Sequence, residues 1–173
     1  MPEDRADPMS GAVMAVLFAL WLLAGTLDFH FHRRADIAHT SGLRESVLHG
    51  LQLALIGAGV LAWLALADTW GLALVLGVLA AAHAVVGYLD TASADGRRRI
   101  SPAEQHVHSI LDMAPWMFLG WIVWRSQAQW TLAWQPAPPS LWSAALVSAT
   151  LIVGAPWLYE LMLCVRATRN RTS

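Results

Sequence analysis

Five apolar runs, separated by short polar connections, dominate this sequence: 11–31, 43–67, 70–89, 103–124 and 141–165. A helix needs about 20 mostly apolar residues to cross a hydrocarbon core of about 30 Å. Inside lipid, every backbone amide and carbonyl must also be satisfied within its own segment. The runs therefore predict an all-α integral membrane helical bundle of about five transmembrane helices. It forms a single domain over 11–165, between a short polar segment (1–10) and an arginine-rich tail (166–173).

Composition closes the other routes. Hydrophobic residues make up 57% of the chain and charged residues 13%, against about 45–50% and 25% in soluble domains. Ten tryptophans and so few charges are incompatible with a solvated, disordered chain. The single cysteine, Cys164, rules out a disulfide framework and reads as a small buried apolar residue. A net charge of −1, with no basic surface, gives nucleic-acid binding no support.

The connections carry turn and cap signals. Asp68-Thr69 reads as a tight turn with Asp68 as N-cap, and Ala94-Asp95-Gly96 as a turn. The Pro136 to Pro139 stretch stops a helix, and Ser140 can cap the next one. Ser101-Pro102-Ala103-Glu104 has the form of a capping box. The leader holds Glu3, Asp4 and Asp7 against Arg5, the reverse of a signal peptide's charge, so the first run is expected to remain as an uncleaved helix.

Arginine placement orients the bundle, because cytoplasmic connections collect positive charge. Arg33, Arg34, Arg44, Arg97, Arg98, Arg99, Arg166, Arg169 and Arg171 fall on one side of a five-span arrangement. That side is expected to be cytoplasmic, with the N-terminus outside and the C-terminus inside, in a bacterial inner membrane. Trp63, Trp70, Trp121, Trp124, Trp130, Trp134 and Trp142 crowd the opposite face, as an interfacial belt does.

The ionisable residues within the spans follow one rule: all lie toward the arginine-rich end. Asp28 and His32 end the first span, Glu45 and His49 open the second, His83 and Asp90 end the third. Glu104, His108 and Asp112 open the fourth, and Glu160 stands alone in the fifth. Asp28–His32, Glu45–His49, Glu104–His108 and His108–Asp112 are each four residues apart, hence on one helix face. His30 and His106 point away from these stripes, and His39 lies in a loop. Charged groups inside a span cost about 2.5–3.5 kcal/mol each on insertion scales, and clustered carboxylates repel unless cations intervene.

A metal centre answers both problems. The expected ligands are Asp28, His32, Glu45, His49, His83, Asp90, Glu104, His108 and Asp112, with Glu45 or Asp112 free to act as catalytic base. The nearest architectural analogue is the di-metal carboxylate four-helix bundle, although the acid-to-histidine spacing here is four rather than three. Oxygen and nitrogen donors without thiolate suit iron, manganese or zinc. The surplus of ligands points to two ions, and first to a di-iron oxidoreductase that hydroxylates or desaturates a lipid-soluble substrate. Such an enzyme would draw electrons from a donor protein on the cytoplasmic face. Alternatives are a zinc-dependent membrane hydrolase and a haem-binding electron carrier with a histidine pair drawn from His49, His83 and His108. A proton-relay transporter is disfavoured, because the outer half of every span is almost free of ionisable groups.

The remainder reads as packing. Gly50, Ala54, Ala58 and Ala62 form a small-residue stripe, and Gly77 with Ala81 a second one. Pro156 is expected to bend the fifth span. Lacking an acid–histidine pair, that span is expected to lean outside the metal bundle or to form a homo-oligomer contact.

Overall fold

A computed structural model describes residues 8–172. In order, α1 (Pro8–Arg34) leads through a short 3-10 turn (Ile37–His39) to α2 (Leu43–Ala65), α3 (Trp70–Ala94) and α4 (Pro102–Arg125). Then come α5 (Pro139–Ala149), a π-helical turn (Thr150–Gly154) and α6 (Ala155–Thr172). Among the described residues there is no strand, only two isolated bridges between connections.

Four segments are long and apolar enough to cross a membrane: Ala12–Arg34, Leu43–Ala65, Trp70–Ala94 and Pro139–Asn170. Their outward faces are apolar, with Leu23, Val78, Val85, Leu151 and Met162 all more than half exposed. Such a surface marks an integral membrane protein rather than a soluble one. The fourth expected span, α4, has the length but not the apolarity, since it carries Glu104, His106, His108 and Asp112 in its first half.

The helix termini follow local chemistry, with three departures from expectation. Thr69, not Asp68, caps α3, its hydroxyl accepting from the Leu72 amide at 3.2 Å. The Asp68 carboxylate turns instead to Arg125, 3.3 Å away. Ser140 caps nothing: α5 begins at Pro139 after Pro138, with no side-chain cap. α3 continues to Ala94, one turn past its expected end, so Asp90 lies inside the helix. The Ser101 capping box forms in full, and Gly96 takes a positive φ of 70° in the turn after α3.

In cross-section the long helices form a ring in which α1 touches α4, α4 touches α3, α3 touches α2, α2 touches α6, and α6 closes on α1. At one end, residues 126–137 run extended across the α2–α3 connection. Gln127 N–H donates to Asp68, Gln135 N–H to Ala65 and Ala137 N–H to Leu64. Beneath them Leu72, Leu76 and Ile122 pack with Trp63, Phe118 and Trp121. The other end gathers the arginine-rich connections, which Arg98 ties to α2 and α4.

The last span corrects an expectation. It does not lean outside the bundle; it completes the ring. Pro156 has no amide hydrogen to give to the preceding turn, and the chain accommodates it with the π-turn, where Ala155 N–H reaches Thr150 O. From there Trp157 lies flat against Gly50, where any Cβ would overlap the indole. Its Nε1–H donates to Ser46 O at 2.8 Å. Of the small-residue stripe only Gly50 and Ala62 serve packing, while Ala54 and Ala58 face outward.

Candidate metal centre

The ring carries its polar side chains inward at the arginine-rich end. Asp28 and His32 come from α1, Glu45 and His49 from α2, and Asp90 from α3. Glu104 and His108 come from α4, and Glu160 from α6. All but His108 are buried, and the His32 and Glu45 side chains are fully so.

The bonds run between helices rather than along them. His108 Nε2 lies 2.9 Å from Asp28 Oδ1, joining α4 to α1. His32 Nδ1–H donates to Glu160 Oε2 at 2.9 Å, joining α1 to α6. His49 donates from both nitrogens, to Glu160 Oε1 at 3.3 Å and to Asp90 Oδ2 at 3.0 Å. The four-residue pairs expected on single helices are realised only for Asp28 and His32, whose Oδ1 and Nε2 stand 3.4 Å apart. The His32 and His49 rings stack at 4.4 Å, both steered by the one Glu160 carboxylate.

Hydrogen-bond inventory separates the histidines. Ionised carboxylates only accept, and a neutral imidazole donates from one nitrogen. His49, flanked by two carboxylates, satisfies both as the imidazolium and has no lone pair left for a metal. His32 bonds Glu160 through Nδ1, which leaves Nε2 as the atom facing the rest of the cluster. That atom is buried, has no hydrogen-bond partner, and faces Asp28 at 3.4 Å and Glu45 at 3.9 Å.

Two ligand groups come close enough to share an ion. One is Asp28, His32 and His108; the other is His32, Glu45 and His49. Within each group the donor atoms lie within 4.8 Å of one another. Both groups use His32. In the second, His49 is occupied by Asp90 and Glu160, and Glu45 by Arg98. The Arg98 side chain, 2% exposed, forks between Glu45 on α2 and Glu104 on α4, with Nη2 2.6 Å from Glu45 Oε1. Burial works against its charge, but the bonds and charges of Glu45, then Glu104, outweigh it and raise its pKa above the usual guanidinium value.

The expected ligand set is thus divided. Asp28, His32 and His108 converge. Glu45 and Glu104 serve Arg98, and Glu104 also completes the α4 capping box. Asp90 orients His49. His83 and Asp112 join neither group: His83 lines a cavity beside the cluster, and Asp112 is exposed on α4 beside Gly87. His30, His39 and His106 lie on the outside, His39 paired with Asp36. Sequence reasoning passed over two members. Glu160 was visible as the one acid in the last span, and Arg98 was hidden in a run of three arginines whose inward member no periodicity identifies.

Five carboxylates (Asp28, Glu45, Asp90, Glu104, Glu160) meet Arg98 and three histidines, so the cluster needs further positive charge beside Arg98, which protons on His32, His49 and His108 or a bound metal ion could supply.

Two small cavities flank the cluster. One of about 80 Å³ lies between the end of α1, the 3-10 turn and α6, and reaches His32 and Glu160 past Arg33 and Asp36. The other, about 40 Å³, lies against Asp28 and His49. Compared with known proteins, the chain matches no family model, and no curated protein or solved structure is significantly similar to it.

Proposed function

We propose that this integral membrane protein is a metal-dependent oxidoreductase holding one iron ion at Asp28, His32 and His108. The observation that carries the reading is the buried, unpartnered Nε2 of His32, its other nitrogen fixed by Glu160. Histidine ligands are commonly oriented by a carboxylate on the far nitrogen. Two histidines and one carboxylate with open positions is the ligand set of non-haem iron(II) oxygenases.

The proposed ion count is one rather than two, because the guanidinium of Arg98 already fills the gap between Glu45 and Glu104 that a second ion would need. A zinc hydrolase is less well supported. Of its two candidate bases, Glu45 is held by Arg98 and Asp112 lies outside the triad. Haem fits less well still: His32 and His49 stack directly at 4.4 Å, and neither flanking cavity admits a porphyrin.

The reaction class is hydroxylation or desaturation of a lipid-soluble substrate, with O₂ as oxidant and electrons from a donor protein. The arginine-rich end, where Arg33, Arg34, Arg44, Arg97 and Arg99 are exposed, suits an acidic donor. That end is read as cytoplasmic by the positive-inside rule, with α4 crossing the membrane beside the four apolar spans. Anaerobic loading with Fe(II), followed by oxygen with ascorbate standing in for the electron donor, tests the chemistry. Oxygen consumption that needs a membrane lipid extract and is absent from the zinc-loaded protein is the expected result. Equal hydrolytic turnover with zinc would replace this reading by the hydrolase.

A further inference from the structure

From Ser126 to Tyr159 the chain has no Asp, Glu, Lys, Arg or His. Within the extended segment between α4 and α5, large apolar residues alternate with polar or small ones. Trp130, Leu132 and Trp134 form one set, and Gln129, Thr131, Ala133 and Gln135 the other. Extended backbone sends successive side chains to opposite faces, so the two sets stand on opposite sides of the segment.

The backbone keeps the same period of two. The carbonyls of Gln129, Thr131 and Ala133 accept from Gly71 N–H, the Thr69 hydroxyl and Ala67 N–H, and Gln135 N–H donates to Ala65 O. The pass is close: a Cβ on Gly71 would stand 2.5 Å from Thr131 O. Yet this pairing leaves the apolar row uncovered. Trp130 is 70% exposed, Leu132 57% and Trp134 72%, and Trp124, at the end of α4, is 80% exposed. An exposed apolar row of this kind marks a contact surface.

The level of the segment in the bundle points to what covers it. Its bonds to Leu64 and Ala65, in the last turn of α2, and to Gly71, in the first turn of α3, hold it beside the helix ends rather than beyond them. Trp63, Trp70, Trp121 and Trp142 stand within about one turn of the same ends, on α2, α3, α4 and α5. A protein partner needs a patch on one side. A bilayer meets every side at one depth, and tryptophan is enriched at its interface. The lack of charge and the paired carbonyls lower the cost of leaving water.

We propose that residues 129–135 are a membrane-interface anchor. Trp130, Leu132 and Trp134 are immersed at the boundary between lipid head groups and acyl chains, and Gln129, Thr131 and Gln135 face water. The anchor sets the depth of the arginine-poor end of the bundle, with or without a metal at the other end.

The test is the fluorescence of a nitrobenzoxadiazole label at Leu132→Cys or Gln129→Cys, on the full chain in phosphatidylcholine nanodiscs. Cys164 is buried, and wild type treated with the label sets the background. The Leu132 label should emit to the blue of the Gln129 label and be shielded from aqueous iodide. A lipid nitroxide near the head group should quench it more than one at the chain end. The Gln129 label should be open to iodide. Trp130→Ser combined with Trp134→Ser should shift the Leu132 emission to the red and open it to iodide, with helix content unchanged. Equal iodide quenching at both positions, with no effect of either nitroxide, would put the segment in water and overturn the proposal. A blue-shifted Leu132 label that neither nitroxide reaches would overturn it as well, in favour of a second protein, such as another copy, over the row.

Discussion

His32 Nδ1 and Glu160 Oε2 lie 2.9 Å apart across 128 residues of sequence, and this bond decides which nitrogen of His32 is free. Without it the ring is free to turn and either tautomer is available. With it, Nε2 is committed to the side where Asp28 and His108 stand.

Glu160→Gln is therefore expected to weaken metal binding by about 10–100-fold, the usual cost of losing a carboxylate behind a histidine ligand. The amide keeps the shape and one acceptor, so helix content should not change. Isothermal titration with Mn²⁺ reads the effect. Wild-type affinity in the variant would mean that His32 is not oriented through Glu160.

Arg98 is expected to be the main stabilising cation of the ring. Arg98→Met leaves Glu45 and Glu104 buried without a counter-charge, a loss of about 3–5 kcal/mol for a broken buried pair. Lysine cannot restore the fork between two helices, so Arg98→Lys should recover only part. Thermal unfolding in detergent checks both variants. Added Mn²⁺ should raise the midpoint of Arg98→Met more than that of the wild type, because the vacated carboxylates become a second cation site.

Gly50 is expected to tolerate no side chain. The Trp157 indole occupies the place of its Cβ, so Gly50→Ala must push α6 away at a cost of about 1–3 kcal/mol for overpacking. Glu160 should move with it, lowering metal affinity as well as stability. Ala58→Leu, on the outward face of the same helix, should change neither.

Orientation is open to labelling. Cys164 is buried, so background should be low. With Arg99→Cys and Ala128→Cys, an impermeant maleimide added to whole cells should label position 128 and spare position 99. The opposite pattern would invert the topology.

Much of the fold was legible because membrane spans announce themselves by length: each apolar run became helix to within a few residues at most ends. The exceptions have physical causes. Asp90 fell inside α3 because nothing before Gly96 stops the helix. The last span was expected to stand apart because it carried a single acid, yet Trp157 on Gly50 and the π-turn before Pro156 bring that acid to two histidines. Helical spacing showed which residues share a face, but not which faces meet. It therefore found Asp28, His32 and His108 without distinguishing them from His83 or Asp112. Nor could it show that Glu45 answers an arginine rather than a metal.

Metal content of purified protein, measured for the wild type and for His32→Ala, His108→Ala and His83→Ala, bears most directly on the centre. About one iron per chain is expected in the wild type and in His83→Ala, and almost none in His32→Ala or His108→Ala. Two ions per chain, or an ion retained without His32, would contradict that expectation.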